Sequence, residues 1–421
     1  MRAPLVLRRH LVAVATACVA VATAGVVAES VGAPVAAAQP ANGVTNVVAP
    51  GTPLWVNPDG TTHSAAAGLT GQAREDALAL AALPAATWFT GGTPARVRAD
   101  VTEVVTAAKA DGAVPVLVAY NLPLRDCGAY SAGGARTTDE YLAWVAAFAK
   151  GIGRNPAIVI LEPDGLGVVP WFTSVTGDQS RCRPAGIDPG TAAAERFRAL
   201  SKAVSILDLQ GTSVYLDGTH SGWLSVGDVA DRLVRANVGG ADGFFLNVSN
   251  VETTERQLRF GRWVSECVDL VRRAGLRAAD CPSQYHPADP ADESTWQRTD
   301  DAFAALYAAR GLAPEASRMP HFVVDTSRNG VGPWVPEASY PQPETWCNPL
   351  DRGLGARPTT VTGDPLADAL LWVKVPGESD GECHRGTAGP EDPARGVVDP
   401  PAGAWFPDLA RELVANATPA L

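Results

Sequence analysis

Short apolar runs alternate with longer mixed segments along almost the whole chain. Eight runs read as strands: PLWV (53–56), ATWF (86–89), PVLVAY (115–120), AIVIL (157–161), SVYL (213–216), GFFLNV (243–248), HFVVD (321–325) and ALLWVKV (369–375). They are short, apolar and rich in β-branched residues, as strands buried on both faces are. Between them, stretches around 71–82, 95–112, 138–152, 190–208, 224–236, 253–274, 297–311 and 404–416 suit amphipathic helices. Strand–helix alternation predicts an α/β fold with a parallel sheet, and this many units predict closure into a TIM-like β/α barrel. No long linker or repeat interrupts residues 53–421, so one domain is expected there.

The N-terminus follows another pattern. Arg2, Arg8 and Arg9 precede an Ala/Val-rich run from Leu11 to Ala28, and Ala36-Ala37-Ala38 offers small residues for cleavage. Residues 1–38 therefore read as a secretory signal and 39–52 as a short leader. The Arg8-Arg9 pair fits a twin-arginine route, and the residues before Cys18 fit a lipid anchor poorly. No other stretch is long and apolar enough to span a bilayer. A secreted, extracellular protein is expected, with no membrane partner once the signal is removed.

Export changes how the cysteines read. Cys18 leaves with the signal. Cys127, Cys182, Cys267, Cys281, Cys347 and Cys383 are an even set in an oxidising compartment and predict three disulfides. There is no CxxC or HExxH and the six His are scattered, so nothing requires a metal or another cofactor. The formal charge is −11; losing three Arg and one Glu with residues 1–38 brings it to −13. That excludes nucleic acid and anionic membranes as partners and suits a neutral substrate. A monomer is expected.

The predicted strands share polar ends. PVLVAY runs into Asn121 and Asp126, AIVIL into Glu162-Pro163-Asp164, and SVYL into Asp217, His220 and Trp223. GFFLNV leads to Asn250, HFVV to Asp325, Arg328 and Asn329, and ALLWV to Lys374, Glu378 and Asp380. Acids at helix starts are commonly caps, but a single site on one face of a barrel explains all of these together. A carboxyl set on an apolar strand loses solvation and keeps its proton nearer neutral pH. Trp88, Trp223 and Trp346 read at or just after strand ends, beside the acids. One such Trp is ordinarily core; three among polar groups point to a cleft where indole faces stack on sugar rings.

YNLPLRDC (120–127), LEPDGLG (161–167), YLDGTHSGWL (215–224), LNVSN (246–250), DTSRNG (325–330) and LWVKVPGESDG (371–381) resemble, in order, the motifs of glycoside hydrolase family 6. These are cellulases: β-1,4-endoglucanases and cellobiohydrolases. The resemblance implies a distorted β/α barrel that hydrolyses β-1,4-glucan with inversion. It implies that Asp164 is the general acid and that Asp126 holds the proton on it. It gives Asp380 as the candidate base or charge-stabilising acid, and Tyr120 as the residue crowding the distorted sugar. Trp88, His220, Trp223, Asn247, Trp346, Lys374 and Glu378 match sugar-binding positions. Cys127–Cys182 and Cys347–Cys383 are the implied disulfides, and Cys267–Cys281 is an extra bond outside the common pattern. Many members carry a water-holding serine where Ala132 stands here; Ser131 lies one place earlier.

An inverting hydrolase needs a protonated acid at the leaving oxygen and a water on the opposite face. Two neighbouring acids such as Asp126 and Asp164 do not both ionise cheaply, so one keeps its proton. A dead hydrolase that only binds glycan is a rival, but Asp126, Asp164 and Asp380 are all present. Another β-linked glycan is a second rival, because stacking reads ring faces better than substituents. The mode of attack pulls both ways. Residues 165–187 and 383–403 are long enough to roof a cleft, as chain-end cleavage requires, whereas Val226 replaces the further aromatic expected of exo-acting members. The expectation is an endoglucanase with a partly covered cleft, with cellobiohydrolase as the alternative.

Overall fold

The computed structural model describes residues 48–421; the predicted signal and most of the leader lie outside the described residues. Seven strands form one parallel sheet in chain order: β1 (Thr87–Phe89), β2 (Val116–Ala119), β3 (Ala157–Leu161), β4 (Thr212–Asp217), β5 (Gly243–Leu246), β6 (His321–Asp325) and β7 (Ala367–Leu371). Every neighbouring pair is parallel, and the sheet curls into a half-barrel. Its helices are α1 (Thr61–Gly68), α2 (Gly71–Ala81), α3 (Pro94–Ala110), α4 (Thr138–Ile152), α5 (Ala192–Leu207), α6 (Val226–Arg235), α7 (Thr254–Ala274), α8 (Gln297–Ala309) and α9 (Pro407–Ala415).

The eighth apolar run, PLWV, makes no strand. It contributes one bridge, Leu54 to Val114, because Pro53 removes a backbone donor and Asn57-Pro58 ends the run. The first and last strands meet at a point only. Ala86 N–H donates to the Trp372 carbonyl at 2.9 Å, and Trp88 Nε1 donates to the Val373 carbonyl at 2.8 Å. Packing reaches back to Val48, which is buried with the barrel interior, so the folded part takes in residues 48–52 that the sequence reading assigns to the leader.

Both strand faces are apolar because both are covered. Val118, Ile158, Ile160, Tyr215, Phe245, Val323 and Leu371 fill the barrel interior. The alternate residues, among them Leu117, Val159, Leu161, Phe244 and Val324, pack outward under the helices. Helix boundaries follow local chemistry. Thr137 accepts from Glu140 N–H at 3.2 Å to open α4, and Gly153, at φ +64°, closes it. Thr253 caps α7, and Gly275 ends it in the left-handed region. Every strand therefore points its carboxyl end, and the loop that follows, to the same side of the sheet.

Candidate active site

A cleft of about 1470 Å³ opens on that side. Asp126, Asp164, Lys374, Glu378 and Asp380 all line it, as do Tyr120, Trp88, His220, Trp223 and Trp346. Of the other strand-end polar groups only Asn250 lines it; of the residues matched to catalytic and sugar-binding positions, the structure brings all but one into the cleft. Asn247 is the exception and its reading as a sugar-binding group is corrected: its side chain is fully buried. Its Nδ2 donates to the carbonyls of Glu252 and Asp325, each at 3.0 Å, and its Oδ1 accepts from Glu252 N–H at 3.2 Å. It fastens the β5 loop to β6 from behind.

The turn after β3 separates its two acids. Glu162 and Asp164 both sit at positive φ, +57° and +63°, a backbone state that costs free energy in non-glycine residues and persists where the surroundings dictate it. Glu162 is buried; it accepts from the N–H groups of Asn121 and Leu122 at 3.0 and 2.9 Å, tying β3 to the β2 loop. Burial lifts its carboxyl to about 7 against those hydrogen bonds. Asp164 instead faces the cleft. Burial first, then the charges of Asp217, Asp126 and Asp380, push its carboxyl well above the usual carboxylate range. Asp217 is the clamp of the following turn: it accepts from the N–H groups of Leu166, Gly167 and Thr219 at 3.1, 2.9 and 2.8 Å. Asp325 does the same job between strands, accepting from Ser249, Ser327, Val373 and Lys374. Three of the strand-end acids are therefore fixtures that hold the loops.

Asp126 rides on a contorted loop. Leu124, Asp126 and Cys127 have φ of +58°, +54° and +50°. Arg125 holds the path: its guanidinium donates to the carbonyls of Thr90, Tyr120, Ser131 and Ala132 and lies 4.8 Å above the Tyr120 ring. Asp126 Oδ2 accepts from Ser131 N–H at 2.8 Å, so Ser131 acts here through its backbone. Burial raises the Asp126 carboxyl, opposed by that hydrogen bond and by Arg125.

Asp380 has the opposite electrostatics. Its Oδ2 accepts from Arg328 Nη1 at 2.6 Å and from Asn348 N–H at 2.8 Å, and Lys374 Nζ stands 3.3 Å from Oδ1. Burial works against its charge, but Arg328 and Lys374 outweigh burial and hold the carboxyl below its ordinary range. Arg328 is itself fully buried and also reaches the Trp346 carbonyl at 3.0 Å. Glu378 nearby is raised by burial, with Lys374 opposing.

The tryptophans stand on opposite walls. Trp88, at β1, meets Tyr120 edge-on at 5.4 Å. Trp346 lies on the long β6–β7 loop, twenty-one residues beyond Asp325, and not at a strand end as the sequence suggests. Trp223 follows β4, across the sheet. Its indole lies against Gly167, where an added Cβ would come within 2.4 Å of the ring; a glycine in the EPDGLG turn is what lets it seat. His220 sits beside it at 5.9 Å, and burial, helped by Arg256, lowers its imidazole to about 4, so the ring is neutral at pH 7.

The model for glycosyl hydrolases family 6 matches residues 49–417, which contain the whole cleft. The chain belongs to that family. Endoglucanase A of Thermobispora bispora is 33% identical over 341 residues, covering 81% of this chain and 56% of its own length. This chain thus spans little more than half of that relative. A probable 1,4-beta-D-glucan cellobiohydrolase C of Aspergillus fumigatus is 28% identical over 88% of this chain and 77% of its own. Among solved structures, the endoglucanase Cel6 from Mycobacterium tuberculosis, in complex with a thio-linked cellobioside, matches with 34% identity and a TM-score of 0.63. That match covers 88% of this chain and 99% of that one.

Among the described residues of this family 6 chain, three disulfides link Cys127–Cys182, Cys267–Cys281 and Cys347–Cys383. The first ties the Asp126 loop to the segment after β3, and the last ties Trp346 to the Asp380 loop. Sequence reasoning passes over the roles of several residues in and behind the cleft wall. Arg328 reads as a strand-end polar group, with no sign that it pairs with Asp380. Tyr130, whose ring lies 5.9 Å from Trp346, and Tyr285 stand in no motif. Only its place four residues after Asp126 could have pointed to Tyr130.

Proposed function

We propose that the protein is a secreted enzyme that hydrolyses internal β-1,4-glucosidic bonds of cellulose or a related β-glucan, with inversion and with no cofactor. One observation carries the reading. Asp164 presents a carboxyl that burial and three acid neighbours push well above the usual carboxylate range, in a cleft walled by aromatic faces. In this mechanism Asp164 protonates the leaving glycosidic oxygen and Asp126 sustains its proton by charge. Asp380, held ionised by Arg328 and Lys374, stabilises positive charge at the anomeric carbon. A carboxylate so tied is a weak proton acceptor, which supports charge stabilisation over proton abstraction at Asp380. Trp88, Trp223 and Trp346 stack on sugar faces, Tyr120 crowds the sugar at the cleavage point, and Lys374, Glu378 and His220 take hydroxyls. The three disulfides support secretion.

Internal cleavage is supported by the exposure of the aromatic walls: Trp223 and Trp346 keep 36% and 40% of their surface accessible. One observation favours the cellobiohydrolase reading instead. Residues 174–176, 178–181 and 401–403, from the two long loops, reach the cleft wall.

One digestion tests both points. Early NMR spectra of cellopentaose hydrolysis should show the α-anomer first, and carboxymethyl-cellulose should lose viscosity while few reducing ends appear. Initial β-product would contradict inversion, and cellobiose release without loss of viscosity would contradict internal cleavage.

A further inference from the structure

Beyond Trp223 the cleft wall is built by residues 275–296, between α7 and α8. This segment is fastened to the Trp223 loop and to the flanking helices. Gln284 Nε2 donates to the carbonyls of Ser221 and Leu224, each at 2.9 Å. The Tyr285 hydroxyl donates to the Trp223 carbonyl at 3.0 Å, and Thr299 Oγ1 donates to the Ser283 carbonyl at 2.8 Å. Cys281 is bonded to Cys267 inside α7.

The effect is to hold Tyr285 in the cleft wall with 41% of its surface open. An exposed tyrosine is unremarkable when its hydroxyl is free in water. Here the hydroxyl is spent on the backbone of a cleft tryptophan and the ring is left bare, with little rotational freedom to lose on contact. Position 226 carries no aromatic that could extend the wall from Trp223, since Val226 is buried in α6.

We propose that Tyr285 forms an additional sugar-binding subsite beside Trp223. The α7–α8 segment then lets the enzyme grip a glucan chain one residue further on the β4–β5 side. The sugar ring stacks on the phenol face, in a wall that Glu252 and His286 also line. The inference rests on the β-glucanase reading above.

Chain-length dependence tests it. kcat/KM is measured on cellotriose, cellotetraose, cellopentaose and cellohexaose for the wild type, Tyr285→Ala and Tyr285→Phe. Removing one stacking ring should lower the ratio of kcat/KM on cellohexaose to that on cellotriose by about five- to tenfold, through KM. Tyr285→Phe keeps the ring and should keep most of the ratio. Calorimetric titration of cellohexaose into Asp164→Asn, with and without Tyr285→Ala, should show the same loss in affinity without turnover. An unchanged ratio, or a loss equal at every chain length, overturns the subsite and leaves the glucanase reading standing. A wild-type protein that neither cleaves nor binds any of the four overturns both.

Discussion

Glu162 and Asp164 carry the same functional group two residues apart, and their surroundings send them to different tasks. Backbone N–H groups occupy Glu162, whereas Asp164 faces the cleft and feels Asp217, Asp126 and Asp380. The sign of the Asp126 contribution gives a pH prediction. A negative charge at Asp126 raises the Asp164 carboxyl, so it prolongs protonation of the acid to higher pH. Asp126→Asn removes the charge while leaving an oxygen for Ser131 N–H. The alkaline limb of kcat/KM should then move to lower pH, in addition to any fall in rate. A pH–rate profile checks this, and an unmoved limb would mean that Asp126 does not act on the proton of Asp164. Asp164 was legible in the sequence because a Pro-Asp-Gly turn stops an apolar strand. The fixture roles of Glu162, Asp217, Asp325 and Asn247 were not, because strand-end position says that a group is near the cleft and not which way its side chain turns.

At the scale of elements, strands and helices were legible wherever burial sets the period. α4 occupies 138–152 as expected and the other expected helices differ by a few residues at their ends. α1 escaped notice because the segment Thr61–Gly68 is short and has almost no apolar face. The loops carry the chemistry and were the least legible part, since their shapes come from side chains distant in sequence. The Asp126 loop shows the cost: three consecutive or near-consecutive non-glycine residues at positive φ persist because Arg125 and the Cys127–Cys182 bond hold them. That bond closes 55 residues, for which chain entropy predicts a stabilisation of about 4 kcal/mol. Replacing both cysteines by alanine should lower the melting temperature by several degrees. It should also reduce kcat at temperatures where the protein is still folded, because the loop can relax toward ordinary φ values. Calorimetry and assays at 25 °C separate the two effects. Full kcat in a destabilised variant would mean that the bond serves stability alone.

At the scale of the molecule, an open parallel sheet curled into a half-barrel brings loops from β1 to β7 around one cleft. Four acids, one lysine and three tryptophans far apart in sequence thereby meet. Their arrangement sets Asp164, whose carboxyl is pushed above the usual carboxylate range, against Asp380, held below it, and the central claim is that Asp164 gives its proton to the leaving oxygen. The most direct test compares Asp164→Asn with the wild type on two substrates of equal binding length: cellotriose, and 2,4-dinitrophenyl β-cellobioside, whose leaving group departs without protonation. The account predicts a fall of about 10²- to 10⁴-fold in kcat on cellotriose and a far smaller fall on the aryl glycoside. Equal losses on both substrates would contradict it, and Asp164 would then serve the site in some way other than as its acid.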